Sequence, residues 1–173
     1  SASRQTPGAM KADGAKSAQR SAIALHDHAR IALERQEFDE TIRSVNSILS
    51  MDPENAEAQA LLKKAIEGQS RMKASGVIKE GRLFQVKGSM SEAIRRYEQA
   101  LAMDRDNVEA RYLIASLLLE LNQDFPRALT LTREILVKGG VKARYYALLG
   151  ELMLREHAPA RAVEAFQKAL SMD

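Results

Sequence analysis

The sequence predicts an all-α fold, a solenoid of stacked helical hairpins with one long central helix. Three observations favour it. One pattern of glycine, alanine and aromatic residues occurs twice, three of the four prolines stand where a helix should begin, and no stretch is typical of a strand. The chain is therefore expected to form one elongated helical domain.

The repeated pattern is GRLFQVKGSMSEAIRRYEQALAMDRDN from Gly81 and GELMLREHAPARAVEAFQKALSMD from Gly150. In each copy a large apolar residue, an alanine, an aromatic residue and a second alanine follow the glycine at the same spacings. They are Phe84, Ala93, Tyr97 and Ala100 in the first copy, and Met153, Ala162, Phe166 and Ala169 in the second. Such a unit cannot bury its apolar face alone and must stack on copies of itself. Gly81, Gly150, Ala93 and Ala162 are expected to let paired helices approach closely.

The positions of the helices follow from the prolines, which mark helix starts, and from the periodicity of the apolar residues. Residues 1–19 are rich in Ser, Ala, Gly and Lys, which predicts a flexible tail or linker with little order. Pro53, Pro126 and Pro159 are interpreted as first-turn residues of helices, where the missing N–H has no partner to lose. The predicted helices cover residues 20–35, 38–51, 54–87, 90–103, 107–121, 125–137, 141–155 and 159–172.

The segment 54–87 is the unusual one. Its apolar residues keep a helical spacing and no turn cluster interrupts them, so a single long helix is expected. Gly68, Gly76 and Gly81 are the positions where it would bend.

The pattern resembles the tetratricopeptide repeat family, whose unit of about 34 residues reads W-x2-L-G-x2-Y, then A-x3-F, then P. The phase gives a divergent unit at 20–53, a connecting helix at 54–87, units at 74–107 and 108–142, and a C-terminal unit at 143–173 that is expected to be truncated. The resemblance covers the chain from residue 20 onward. It departs from the family at 54–87, where half a repeat is added, and at Arg105, where proline is usual.

Composition excludes several function classes. The net charge is only +3 and is spread along the chain, and 5% of residues are aromatic with no tryptophan, which disfavours nucleic-acid binding. There is no cysteine, so thiolate catalysis and cysteine-ligated metals are excluded. No apolar run approaches the roughly 20 residues that span a bilayer. We expect no membrane insertion and a cytoplasmic chain, with the periplasm left open; the composition leans towards a bacterial source.

Two segments imitate chemical motifs. Residues 76–82 have the glycine spacing of a phosphate-binding loop, but Arg82 and Leu83 stand where Lys and Ser or Thr are needed, and the segment lies in a helical pattern. His26 and His28 point to opposite sides of a helix, so they cannot easily chelate one ion. We expect no catalytic residue, no cofactor and no metal, and hence no enzyme.

The resemblance implies a concave groove, lined by the first helix of each unit, that binds a peptide or protein segment. One subgroup of the family clamps a chaperone carboxylate with Lys and Asn; this chain has His26 and Arg30 at the corresponding positions, which disfavours that role. Two interpretations of Lys79, Arg82, Arg144 and Arg155 remain open: they bind an acidic segment by charge-assisted hydrogen bonds, or they are only solubilising charges. Carried over by phase, the groove residues are His26, Arg30 and Leu33, then Lys79, Arg82 and Gln85, then Tyr112, Ser116 and Leu119, and finally Arg144, Leu148, Glu151 and Arg155.

Two functions remain open. The chain is a scaffold or adaptor within a larger multiprotein assembly, or it is an accessory regulatory or targeting domain of a larger protein whose catalytic or membrane module lies outside this segment. The final helix ends with Phe166, Ala169, Leu170 and Met172 and no capping helix follows. This face is therefore expected to be covered by further repeats, by self-association or by a partner.

Overall fold

The computed structural model describes residues 7–172, with side chains from Gln19 onward. Over this range every regular element is a helix, which confirms the predicted all-α helical-repeat fold. The eight helices are α1 (Pro7–Glu34), α2 (Phe38–Met51), α3 (Ala56–Val86), α4 (Met90–Met103), α5 (Val108–Glu120), α6 (Phe125–Lys138), α7 (Ala143–Arg155) and α8 (Pro159–Leu170).

The helices belong to two compact units that divide at Ser70, inside α3. The first unit contains α1, α2 and the first part of α3, and its buried core includes Ala29, Val45 and Ile48. The second unit contains the rest of α3 and α4 to α8, with a larger core that includes Ile114 and Leu152. No helix in the described part of the chain is both long and apolar enough to cross a membrane.

The long central helix is confirmed as one uninterrupted element of 31 residues, which corresponds to about 46 Å at a rise of about 1.5 Å per residue. Its start differs from the prediction, because Pro53 lies in the preceding turn and not in the first turn of α3. The helix begins at Ala56 and is capped by Asn55, whose side-chain oxygen accepts a 2.9 Å hydrogen bond from the backbone N–H of Ala58. Asn107 caps α5 in the same way through Ala110, at 2.8 Å.

The N-terminal segment departs further from the prediction. Helix α1 begins at Pro7, so residues 7–19, predicted as part of a tail, belong to the helix. Ala, Lys and Gln are strong helix formers, and proline is tolerated at a first helical position. Composition alone had suggested a linker because apolar periodicity is missing there. Residues 1–6, the rest of the predicted tail, lie outside the described residues.

The small residues of the repeated pattern have the predicted packing role. Ala93 and Ala162 have no exposed surface. Gly150 lies so close to the ring of Phe166 that a Cβ atom there would be 2.6 Å from Cε1. The aromatic residue of one helix therefore fills the space left by the glycine of its partner.

Candidate functional site

A cavity of about 400 Å³ lies between α5 and α7 in the second unit. All seven groove residues predicted for these two helices line it, together with Glu120 and Ala147. The seven are Tyr112, Ser116, Leu119, Arg144, Leu148, Glu151 and Arg155. We call this cavity the α5–α7 groove. Its volume is within the range of about 300–1,000 Å³ that is common for ligand sites.

Helical spacing explains why these side chains share one cavity. On α5 they follow each other at steps of four and three residues, and on α7 at steps of four, three and four. Residues at such steps lie on one face of a helix. The opposite faces of both helices carry buried core residues such as Ile114 and Met153. Core packing therefore fixes which face of each helix is turned towards the groove.

One end of the groove is basic and aromatic. The guanidinium carbon of Arg144 lies 4.8 Å from the ring centroid of Tyr112 and 5.0 Å from that of Tyr145. Arg144 Nη2 also donates a 3.1 Å hydrogen bond to the Tyr145 hydroxyl, and this bond raises the pKa of the guanidinium above its usual value. Because Tyr145 is buried, the contacts hold a charged group in a fixed position at the groove wall.

The other end of the groove has mixed charge. Arg155 at the end of α7 lines the cavity together with Glu151 and Glu120. Within the described residues, neither Arg144 nor Arg155 has a carboxylate within 4.0 Å, so both guanidinium groups remain available to a ligand. Between the two ends, Leu119 and Leu148 provide a floor that is largely buried. The groove thus combines an apolar floor with separated charges.

The groove residues predicted on α3 are placed differently. Arg82 forms an ion pair with Glu109 of α5. Gln85 accepts a 2.9 Å hydrogen bond from the hydroxyl of Tyr97, so this amide oxygen is used inside the hairpin. Lys79 is exposed. None of the three lines the α5–α7 groove, whose lining residues all belong to α5 and α7.

In the first unit, the predicted residues are largely engaged by neighbours. Arg30 forms a 2.5 Å ion pair with Asp27 and approaches Glu57 at 3.8 Å. His26 Nδ1 lies 3.7 Å from a Glu57 carboxylate oxygen. Leu33 is half-buried and packs against the apolar core of this unit. A role of these residues in binding a partner stays a prediction.

The rejected chemical motifs can also be placed. Residues 76–82 lie within α3, so their backbone amides belong to a helix and do not form a phosphate-binding loop. Among the described residues there is no group of three or more His, Asp or Glu side chains that could hold a metal ion.

Three residues of the site were missed by the sequence argument. Glu120 lies four residues after Ser116, and Ala147 lies three residues after Arg144, so helical spacing alone would have found both. Tyr145 gives no such signal. It follows Arg144 directly in the sequence, and neighbours in a helix do not face each other; only the long arginine side chain reaches it.

Comparison with known proteins identifies the repeat. Residues 87–152 match the family model of the tetratricopeptide repeat. No curated protein matches the chain. Among solved structures, the second tetratricopeptide repeat domain of Spaghetti (RPAP3), bound to the HSP90 peptide SRMEEVD, is similar with a TM-score of 0.59 and 20% identity, covering 64% of this chain and 96% of that one.

Two further structures are similar over more of the chain. MamA from Desulfovibrio magneticus RS-1 has a TM-score of 0.54 and 19% identity, covering 88% of this chain and 76% of that one. YrrB, described as a tetratricopeptide repeat protein with an unusual peptide-binding site, has a TM-score of 0.53 and 15% identity, covering 93% of this chain and 91% of that one. At these identities the likeness shows the fold. Taken with the matched residues 87–152 and the repeated glycine–aromatic hairpins, it shows that the chain has the helical-repeat fold of tetratricopeptide repeat proteins.

Proposed function

We propose that this chain is a scaffold or adaptor that binds a peptide or protein segment in the α5–α7 groove, as part of a larger multiprotein assembly. The observation that carries the proposal is the convergence of seven predicted residues on one cavity. Two solved structures with the same fold are described by a bound peptide or a peptide-binding site, which supports a ligand of this class.

The groove chemistry favours a segment that carries a carboxylate and apolar side chains. A carboxylate next to Arg144 would form charge-assisted hydrogen bonds with a guanidinium that has no acidic partner among the described residues. Apolar side chains would cover Leu119 and Leu148. The carboxylates of Glu120 and Glu151 disfavour a second acidic group at the far end. We therefore expect selectivity for where the negative charge stands in the segment, not only for its amount.

A peptide-display selection on the immobilised chain tests this function. Peptides selected by the unmodified chain are expected to be enriched in Asp or Glu beside apolar residues. Ser116→Arg would fill the groove with a long cationic side chain and is expected to weaken their binding at least tenfold. Ser75→Arg, at an exposed position of α3 outside the groove, is the matched control. Equal binding by both variants would contradict the groove assignment.

The peptide SRMEEVD provides a second test of the proposed function. The first-unit positions that would clamp a chaperone carboxylate hold His26 and Arg30, and Arg30 already has acidic neighbours in Asp27 and Glu57. We expect this peptide to bind no more tightly than a scrambled peptide of the same composition, measured by fluorescence anisotropy. Tight, sequence-dependent binding would instead assign a chaperone-adaptor role.

We also propose that α8 supports self-association. Leu170 is 75% exposed and Val163 is 53% exposed on this helix. Their counterparts on α4, in the alignment that sets Gly81 beside Gly150, are Leu101 and Ile94, and both pack against the core. Apolar side chains that are covered in one hairpin and exposed in the next favour a contact with another molecule.

A further inference from the structure

A second cavity, of about 420 Å³, opens among α6, α7 and α8. Helix α7 contributes Tyr146, Leu149 and Met153 to it, which gives an apolar surface. None of its lining residues takes part in the α5–α7 groove. We call this cavity the α8 cleft. It was not among the sequence-predicted sites.

Three cations surround the cleft. Arg133 comes from α6, and Arg161 and Lys168 come from α8. All three are exposed, and none forms an ion pair with a residue that the structure describes. Lys168 Nζ lies 5.8 Å from the ring centroid of Tyr146. Glu164 is the single carboxylate in the lining, so the cleft has an excess of positive charge over an apolar surface.

The equivalent positions of an earlier hairpin provide an internal comparison. The alignment of Gly81 with Gly150 places Leu149 where that hairpin has Glu80, and Arg161 where it has Glu92. There, Glu80 lies 3.4 Å from Arg96. Glu92 forms a 2.7 Å ion pair with Arg95. In the last hairpin the positions of Arg95 and Arg96 hold Glu164 and Ala165, and Lys168 stands where the earlier hairpin has Gln99. The last hairpin therefore gains one positive charge over these five positions.

The cleft dimensions limit what it can hold. Tyr146 and Met153 are seven residues apart on α7, as are Arg161 and Lys168 on α8. At about 1.5 Å per helical residue this is about 10 Å. An extended peptide advances about 3.3 Å per residue. The cleft therefore has room for about three residues of an extended segment.

We propose that the α8 cleft is a second docking site of this chain, for a short segment of a partner protein in which one large apolar side chain stands between two acidic ones. The apolar side chain lies over Leu149 and Met153. The flanking carboxylates, which an extended backbone turns away from this floor, pair at the rim of the cleft with the exposed cations of α6 and α8. Charge complementarity selects this occupant, because a neutral apolar segment would leave three cations without partners. The site does not depend on the α5–α7 groove being occupied.

Fluorescein-labelled peptides test the proposal with the full chain. The probes are GSEFESG, its apolar-deleted form GSEAESG and its charge-reversed form GSKFKSG, measured by anisotropy at low ionic strength. Only GSEFESG is expected to bind well. Arg161→Glu restores the carboxylate of the earlier hairpin and is expected to weaken that binding at least tenfold, while Arg161→Lys preserves it.

Two controls make the outcomes decisive. Lys87→Glu makes the same charge change in the exposed turn between α3 and α4, and is expected to leave GSEFESG binding unchanged. Because Arg161 is exposed, circular dichroism should show that Arg161→Glu melts like the parent. Equal binding of GSEFESG and GSEAESG, or equal losses from Arg161→Glu and Lys87→Glu, would overturn the proposal. Loss of GSEFESG binding on Ser116→Arg but not on Arg161→Glu would overturn it while supporting the groove.

Discussion

Gly81 of α3 lies against the aromatic ring of Tyr97 in α4, so closely that a Cβ atom on the glycine would be 2.5 Å from Cε1. Tyr97 is fully buried, and its hydroxyl donates to Gln85 on the same helix as the glycine. The ring is thus held at both its face and its hydroxyl. This contact joins the two helices of the hairpin and recurs at Gly150 and Phe166.

Gly81→Ala is expected to lower the free energy of unfolding by about 1–3 kcal/mol, because the added methyl group must displace a buried ring. Gly76→Ala on the same helix is the matched control. No atom lies within 4 Å of a Cβ there, so this change should stabilise the helix by about 0.5–1 kcal/mol. Urea denaturation measures both. Equal effects of the two substitutions would contradict the close contact.

Ala93→Leu and Ala162→Leu should each destabilise the fold by about 1–3 kcal/mol, because both alanines are completely buried between paired helices and a larger side chain overpacks the contact. Ala102→Leu, at an exposed position of α4, should change stability by less than about 0.5 kcal/mol. Thermal melts followed by circular dichroism compare the three. If the buried variants melt like Ala102→Leu, the predicted repeat phase is wrong.

Asp106 should contribute a small, pH-dependent stabilisation. Its hydrogen bond to Lys138 and the charge of that lysine hold the pKa of the carboxyl below the ordinary value of 3.8. A carboxyl whose pKa is lowered by folding stabilises the folded state above its unfolded pKa, and this contribution is lost as the pH falls through the folded value. Asp106→Asn should therefore lower the Tm at neutral pH.

The Tm difference between Asp106→Asn and the parent should shrink below pH 3.8 and also in high salt, because the pair is exposed. Glu54→Gln, which removes an exposed carboxylate in the turn before α3, serves as the control. A Tm deficit that is the same in acid and at neutral pH would argue that the asparagine acts through something other than charge.

Self-association through α8 should appear in light scattering as a mass that rises with concentration. Leu170→Lys is expected to shift the chain towards monomer, because it places a charge on the exposed apolar face. Val137→Lys, on an exposed apolar residue of α6, is the matched control. A monomer at every concentration, or an equal shift by both variants, would exclude an α8 contact.

The sequence determined the elements of the second unit closely. A glycine and an aromatic residue at a fixed spacing could be paired across a hairpin without coordinates, because only a residue without a side chain leaves room for a ring. Helical spacing likewise predicted that Tyr112 and Ser116 share one face of α5, and that Arg144 and Leu148 share one face of α7. These rules depend only on the spacing of residues along the chain, so they can be applied to the sequence without coordinates.

Other predictions were wrong because they were based on amino-acid composition and not on the contacts that a residue makes. The segment from Pro7 was interpreted as a tail, although its helix formers extend α1. Pro53 was assigned to a helix that Asn55 caps. In each case the prediction relied on a general tendency of a residue type, whereas a specific local interaction determines the structure.

What only the tertiary structure decided is which charged side chains remain available. Arg82 and Arg144 are both arginines that the sequence places on a groove face. Arg82 is paired with Glu109 from the next helix, while Arg144 lies against the rings of two tyrosines. The α8 cleft likewise exists only because side chains of α6, α7 and α8 meet there. Pairing between charges depends on distances across helices, and a repeat pattern fixes the helices but not the partners each charge finds on its neighbours.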